Sequence, residues 1–161
     1  MAKPKRIVAP LVVSESTLYL GHHLRAVDNA RVILPPDWRV EGAPTELVIT
    51  PRPAAAPGCL LAMPVSRWEA FVKHLEAAAM DTEMAAFAES MISDSTSRKA
   101  VDSYGRLALP EDALQSLGIG SEAMLVGRMN KFEIWDPGKY QASRAKIDLG
   151  AIAKIIDSIR V

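Results

Sequence analysis

The sequence predicts an α+β fold built from two copies of one small β unit, and three observations carry the prediction. A motif recurs: Arg31-Val-Ile-Leu-Pro35 and Arg106-Leu-Ala-Leu-Pro110 share an Arg-x-x-x-Pro frame at an offset of 75 residues. After each lie short runs of Val, Ile, Leu and aromatic residues bounded by Gly, Pro and Asp, which read as strands. Between the copies, and again after the second, apolar residues recur at helical spacing.

The copies keep one order of elements. Leu47-Val-Ile-Thr50 in the first answers to Met124-Leu-Val-Gly127 in the second, and Cys59-Leu-Leu-Ala-Met-Pro64 to Lys131-Phe-Glu-Ile-Trp-Asp-Pro137. Each copy then runs to an aromatic, Trp68 or Tyr140, that opens a helical stretch. Pro110 suits a helix start, Glu111 and Asp112 complement its positive end, and Gly118 supplies a stop. The first copy carries Pro35-Pro-Asp-Trp-Arg39 in that place, with a shorter helix at most. Residues 51–58 form a Pro-rich loop between two strands. In the insert, Ser66 with Glu69 reads as a capping box, and Trp68, Phe71, Val72 and Leu75 follow helical spacing. A second helix carries Met84, Phe87 and Met91. The C-terminal stripe of Ile152, Ile155, Ile156 and Ile159 is core or an oligomer contact.

Composition narrows the function. The chain has 161 residues, 49% hydrophobic and 24% charged, with zero net charge. No apolar run reaches the roughly 18 residues needed to cross a bilayer, and the basic start is too short and polar for a signal peptide. The single cysteine, Cys59, excludes an internal disulfide and fits a reducing compartment. A cytoplasmic protein is expected. The first 40 residues hold six basic and three acidic residues, so a net +3 there is balanced by −3 elsewhere. A basic N-terminal third is compatible with phosphate contacts.

Several residues read as structural. Trp38, Trp68 and Trp135 suit core or interface anchors better than base-stacking platforms, and Cys59 reads as a small buried hydrophobe. His22 and His23 are adjacent on a strand or turn and point to opposite faces. With no Cys-x-x-Cys or His-x-x-x-His pairing, no metal site is expected. His74 lies on the polar side of its helix. No nucleophile motif or phosphate-cradling loop supports catalysis, so neither an enzyme nor a cofactor is expected.

The segment Val101-Asp-Ser-Tyr-Gly-Arg-Leu-Ala-Leu-Pro110, with Leu125-Val-Gly127 and Phe132-Glu-Ile-Trp-Asp-Pro137, closely resembles the MraZ family of bacterial transcription regulators. Asp102 and Arg106 meet its Asp-x-x-x-Arg signature. The likeness covers most of residues 17–142, specifically in the second copy and more loosely in the first. It implies two tandem AbrB-like swapped-hairpin β units that form one barrel, with an inserted helical pair and a C-terminal helix. The division is then a basic tail over 1–16, a first repeat over 17–65, a helical insert over 66–97, a second repeat over 98–142 and a C-terminal helix over 143–161. The resemblance also implies a ring-shaped homo-oligomer, located at the nucleoid, that binds repeated boxes of double-stranded DNA upstream of its own division and cell-wall operon. No membrane and no small-molecule substrate are implied.

The first copy departs from the family pattern. Val27 stands where an acid precedes the arginine by four residues, Ala30 where Gly or Asn is usual, and Asn29 where a basic residue is common. Asp28, three residues from Arg31, is left open as a substitute. An arginine opening a strand beside a turn can offer its fork to phosphate or guanine, or can pin the turn through an ion pair. Arg106, with Asp102 intact, favours the structural role. Arg31 favours DNA. The candidate DNA contacts are therefore Asn29, Arg31 and Arg25, the tail residues Lys3, Lys5 and Arg6, and secondarily Tyr104 and Arg106. Asp102, Gly105, Pro35 and Pro110 form the structural signature. A structural or interaction ring protein of the same fold, without specific DNA binding, is the rival reading, and the altered first turn favours it.

Overall fold

The computed structural model describes residues 17–52, 58–78 and 82–159. Each copy contributes four strands, β1 (His22–Ala26), β2 (Arg31–Ile33), β3 (Glu46–Pro51) and β4 (Leu60–Pro64), then β5 (Ser97–Ala100), β6 (Arg106–Ala108), β7 (Glu122–Gly127) and β8 (Phe132–Trp135). The helices are α1 (Val65–Ala78), α2 (Glu83–Ser95), α3 (Glu111–Leu117), α4 (Pro137–Ala145) and α5 (Leu149–Ser158). Pro36–Trp38 makes a single 3-10 turn in the place that α3 takes in the second copy.

Six strands form one antiparallel sheet in the order β1-β7-β8-β4-β3-β5, and β2 pairs with β6 in a two-stranded ribbon. The order is unchanged when β1 is exchanged with β5, β3 with β7 and β4 with β8. The duplication is thus a pseudo-two-fold of the fold. Its axis passes through the β4–β8 pair, where Leu61 faces Glu133 across the strands, and through the ribbon. The two copies interlock: β1 pairs with β7, β3 with β5, β4 with β8 and β2 with β6. The expectation of one barrel needs correction. β1 and β5 are the open edges of the large sheet, and the three-residue strands of the ribbon pair with each other and otherwise make only the isolated bridges Asp28–Arg31 and Val101–Leu107. The described strands therefore pack as two layers rather than closing on themselves.

Side-chain alternation gives the large sheet two apolar faces. Leu60, Ala62, Phe132 and Ile134 turn inward with Leu47, Ile49 and Leu125 to meet Val32 and Leu107 of the ribbon, Tyr19 and Trp38. Cys59, Met124 and Trp135 lie on the outer face under Tyr140 of α4. Burial on both faces accounts for the near-continuous apolar runs of β3, β4 and β8. Burial also pushes the Cys59 thiol up to about 12, with Glu133 adding to the effect, so it is protonated and unreactive at neutral pH. His23 packs edge-on against Trp38 at 5.3 Å, whereas His22 is exposed.

Helix ends follow local chemistry, with two corrections. Gly118 closes α3 at φ 70, and Asp136 caps α4 by accepting from the Lys139 amide at 3.0 Å. Helix α1, however, begins at Val65, so Ser66 lies inside its first turn and does not head a capping box. The single C-terminal helix expected from residue 143 is instead two helices. Asp148 caps Ala151 and starts α5 anew after a break at 146–148. Every described residue of α5 is exposed, so the isoleucine stripe is not part of this chain's core.

Candidate nucleic-acid interface

The ribbon exposes one face. Val32 and Leu107 point into the core, so Arg31, Ile33, Arg106 and Ala108 share the outer side. Arg31 is opposite Ala108, and Ile33 is opposite Arg106. The two arginines are therefore diagonal neighbours, at roughly 7–8 Å between backbones. Each turn enters the ribbon from the opposite end and is tied to the other copy. Leu34 N–H donates to Gly105 O at 2.9 Å, and Leu109 N–H donates to Ala30 O at 2.8 Å. These bonds are equivalent under the pseudo-two-fold.

The two turns differ by one residue. In the first, Asp28 and Arg31 exchange backbone hydrogen bonds at 3.0 Å around Asn29 and Ala30, whose φ values are 52° and 57°. Two left-handed residues in a two-residue loop make a type I′ turn, whose twist matches a hairpin. Ala30 carries a Cβ where glycine is free of strain. Ala30→Gly is expected to stabilise the chain by about 0.5–1 kcal/mol in urea denaturation, the relief being partly offset by the freer unfolded chain. A destabilised variant would show that the Ala30 methyl, packed against the core, outweighs the strain. The shorter loop also explains the missing acid. Val27 packs on the core and its amide donates to Ser121 O at 2.8 Å, while Asp28 closes the turn through its backbone.

The second turn spans Ser103-Tyr104-Gly105, with Gly105 at φ 81. Asp102 organises it. Oδ1 accepts from the Tyr104 and Arg106 amides at 2.9 Å each, and Oδ2 accepts from Arg106 Nε at 2.7 Å. The Arg106 amide foremost, then its guanidinium and the Tyr104 amide, hold the Asp102 carboxyl below its usual range. A carboxyl lowered on folding contributes stability above its unfolded pKa of about 3.9, and that contribution is lost as pH falls through the lower folded value. Asp102→Asn should therefore be less stable than the parent at pH 7, with the deficit shrinking below pH ~4. Equal deficits at pH 7 and pH 3 in urea would refute that account.

The other candidate contacts fall at varied places. Arg25 bridges strands, donating from Nε to Ile33 O at 3.1 Å and from Nη1 to Leu24 O at 3.0 Å. Asn29 and Arg31 are exposed, and among the described residues the Arg31 side chain has no hydrogen bond or ion pair. Tyr104 is 72% exposed, with the Arg106 guanidinium 5.1 Å from its ring centre. Pro35 is buried and accepts from Trp38 N–H at 2.9 Å, and Pro110 caps α3. Lys3, Lys5 and Arg6 lie outside the described residues. Arg39, which sequence reasoning passed over, lies across Gly105 and donates to Leu34 O at 2.9 Å. It adds a fourth arginine beside the ribbon. No local signal links two positions 66 residues apart; only the interlocked pairing brings them together.

A two-stranded ribbon with arginines on its free face can enter a DNA major groove, which is about 12 Å wide. Among the described residues no three metal-ligating side chains converge, and no helix is long and apolar enough to cross a membrane.

Residues 92–154 match a family model described as "MraZ protein, putative antitoxin-like". A curated protein of Tolumonas auensis, named transcriptional regulator MraZ, is 32% identical over 124 residues, covering 74% of this chain and 80% of that protein. The chain belongs to the MraZ family. Relatives carrying the same name in Deinococcus radiodurans and Clostridium acetobutylicum are 27% and 21% identical, covering 82% and 100% of their own lengths. The MraZ model match takes in the second turn, where Asp102 and Arg106 are paired, and stops short of the first. The MraZ relatives align across both copies, since their matches cover 74% to 89% of this chain.

Proposed function

We propose that this chain is a sequence-specific DNA-binding transcription regulator that acts as a homo-oligomer on repeated promoter boxes of its own division and cell-wall operon. The observation that carries the reading is the exposed ribbon face. Arg31 is free there, while Arg106, Arg25 and Arg39 are held by carboxylate or backbone oxygens with part of each fork still open. Relatives over most of the chain are named transcriptional regulators. The interlocked copies support the narrower reading of two AbrB-like swapped-hairpin units. Arg31 and Asn29 are the primary contacts, Arg106 and Tyr104 the secondary ones at the far end, and Arg25 a guide for β2. Such a protein is nucleoid-associated. A ring of copies would add modest contacts through effective concentration, so a neutral subunit still binds usefully.

The test titrates the protein against its own upstream region and a scrambled control at two salt concentrations. Specific binding that Arg31→Ala weakens tenfold or more is expected, the scale of one good base or phosphate contact. The salt slope should fall by about 0.9 if that contact is a phosphate. Equal weak binding to both DNAs would instead favour an interaction protein of the same fold, a reading that the fully exposed apolar helix α5 supports. A monomer at micromolar concentration in light scattering would contradict the ring.

A further inference from the structure

On the outer face of the sheet, opposite the ribbon, α1 and α2 leave an apolar groove of about 570 Å³ over β4. Leu61, Met63, Trp68, Phe71 and Ile92 wall it, while Arg52, Arg67 and Lys131 reach its rim. Size and lining match those of small-molecule sites, which combine apolar walls with a few polar groups.

The charges at the rim are unbalanced. Among the described residues no carboxylate lines the groove, and Glu133, paired across the strands with Leu61, is already bound by Arg52 and Arg128, each at 3.0 Å, and by Trp135 Nε1 at 2.9 Å. Arg67 and Lys131 have no ion-pair partner among the described residues. Burial foremost, then Arg128 and Arg67, lower the Lys131 ammonium, while Glu133 acts against them.

We infer that this groove binds a free amphiphilic carboxylate with a long aliphatic chain, its head between Arg67 and Lys131 and its tail along Leu61, Phe71 and Ile92. A guanidinium beside an ammonium provides the donors that a carboxylate takes. The alternative occupant, α5 of a second copy, offers an apolar stripe but carries Lys154 together with Asp157, so it brings no net negative charge. A free carboxylate does bring it to Arg67 and Lys131.

Dodecanoate, kept below its micelle concentration, is titrated into the full chain and followed by tryptophan fluorescence and calorimetry. Saturable binding of one molecule per chain is expected, with dodecanol at least tenfold weaker. Arg67→Gln and Lys131→Gln should each weaken dodecanoate about fivefold, and together more. Arg67 is exposed and unbonded, so its variant keeps the fold, and the dodecanol comparison needs no variant at all. Equal affinity for dodecanoate and dodecanol, non-saturable uptake, or an unchanged double variant would overturn the inference. So would dissociation of an oligomer by dodecanoate together with the same dissociation in Ile156→Asp, because the groove would then belong to α5 of a second copy. The assay contains no DNA, so its failure leaves the reading of the ribbon untouched.

Discussion

Glu133→Ala should destabilise the chain by about 2–3 kcal/mol. Its carboxylate is 7% exposed and sits on the pseudo-two-fold. It receives Arg52 from the end of β3, Arg128 from the equivalent end of β7, and the Trp135 indole N–H from its own strand. Removing it leaves two guanidinium groups facing each other and a buried N–H without a partner. A broken buried ion pair costs about 3–5 kcal/mol, and the 32% and 41% exposure of the arginines reduces that through solvent screening. Arg52→Ala should cost only about 1 kcal/mol, because Arg128 still serves the carboxylate. Urea midpoints at unchanged slope measure both. A loss below 1 kcal/mol for Glu133→Ala would mean that both arginines recover full hydration.

Gly127→Ala should cost about 3 kcal/mol, at the upper end of overpacking. A Cβ there would overlap the Tyr19 carbonyl, which is backbone and cannot swing aside. Gly127 also donates to Gly21 O at 2.7 Å, so the two chain segments cannot separate without losing that bond. Tyr19 is 1% exposed and packs 5.3 Å from Trp38 and 5.1 Å from Phe132, so its displacement would disturb the aromatic centre of the core. Gly120→Ala is the control, with nothing within 4 Å of the added methyl, and should stay within about 0.5 kcal/mol of the parent. A Gly127→Ala chain as stable as the control would show that the pairing of residues 19–21 with 127–129 is loose in solution.

Much of this was legible along the chain because it rests on local rules. The offset of 75 between Arg31 and Arg106 marked the duplication, and Gly118 and the run around Leu60 placed a helix end and a strand. The start of α1 was misplaced by two residues, because Ser66 and Glu69 match a capping pattern that the chain, already leaving β4 at Pro64, does not use. The break before α5 was missed because Ile147 and Asp148 do not interrupt apolar spacing; Asp148 acts as a cap only once the helix restarts. Arg39 over Gly105, and Arg52 with Arg128 on Glu133, depend on pairs 66, 81 and 5 residues apart. Nothing in periodicity foretells the two distant ones.

The sequence by itself determined the α+β class, the two copies, the order of their elements and the inequality of their turns, because each depends on nearby residues and side-chain period. Tertiary structure alone decided how the copies combine. Short strands cannot bury both faces within one copy, so each copy's strands are completed by the other's, in an open six-stranded sheet and a separate ribbon. That cross-pairing brings Arg31 and Arg106 onto one exposed face and gathers Arg52, Arg128 and Lys131 around Glu133 on the opposite side.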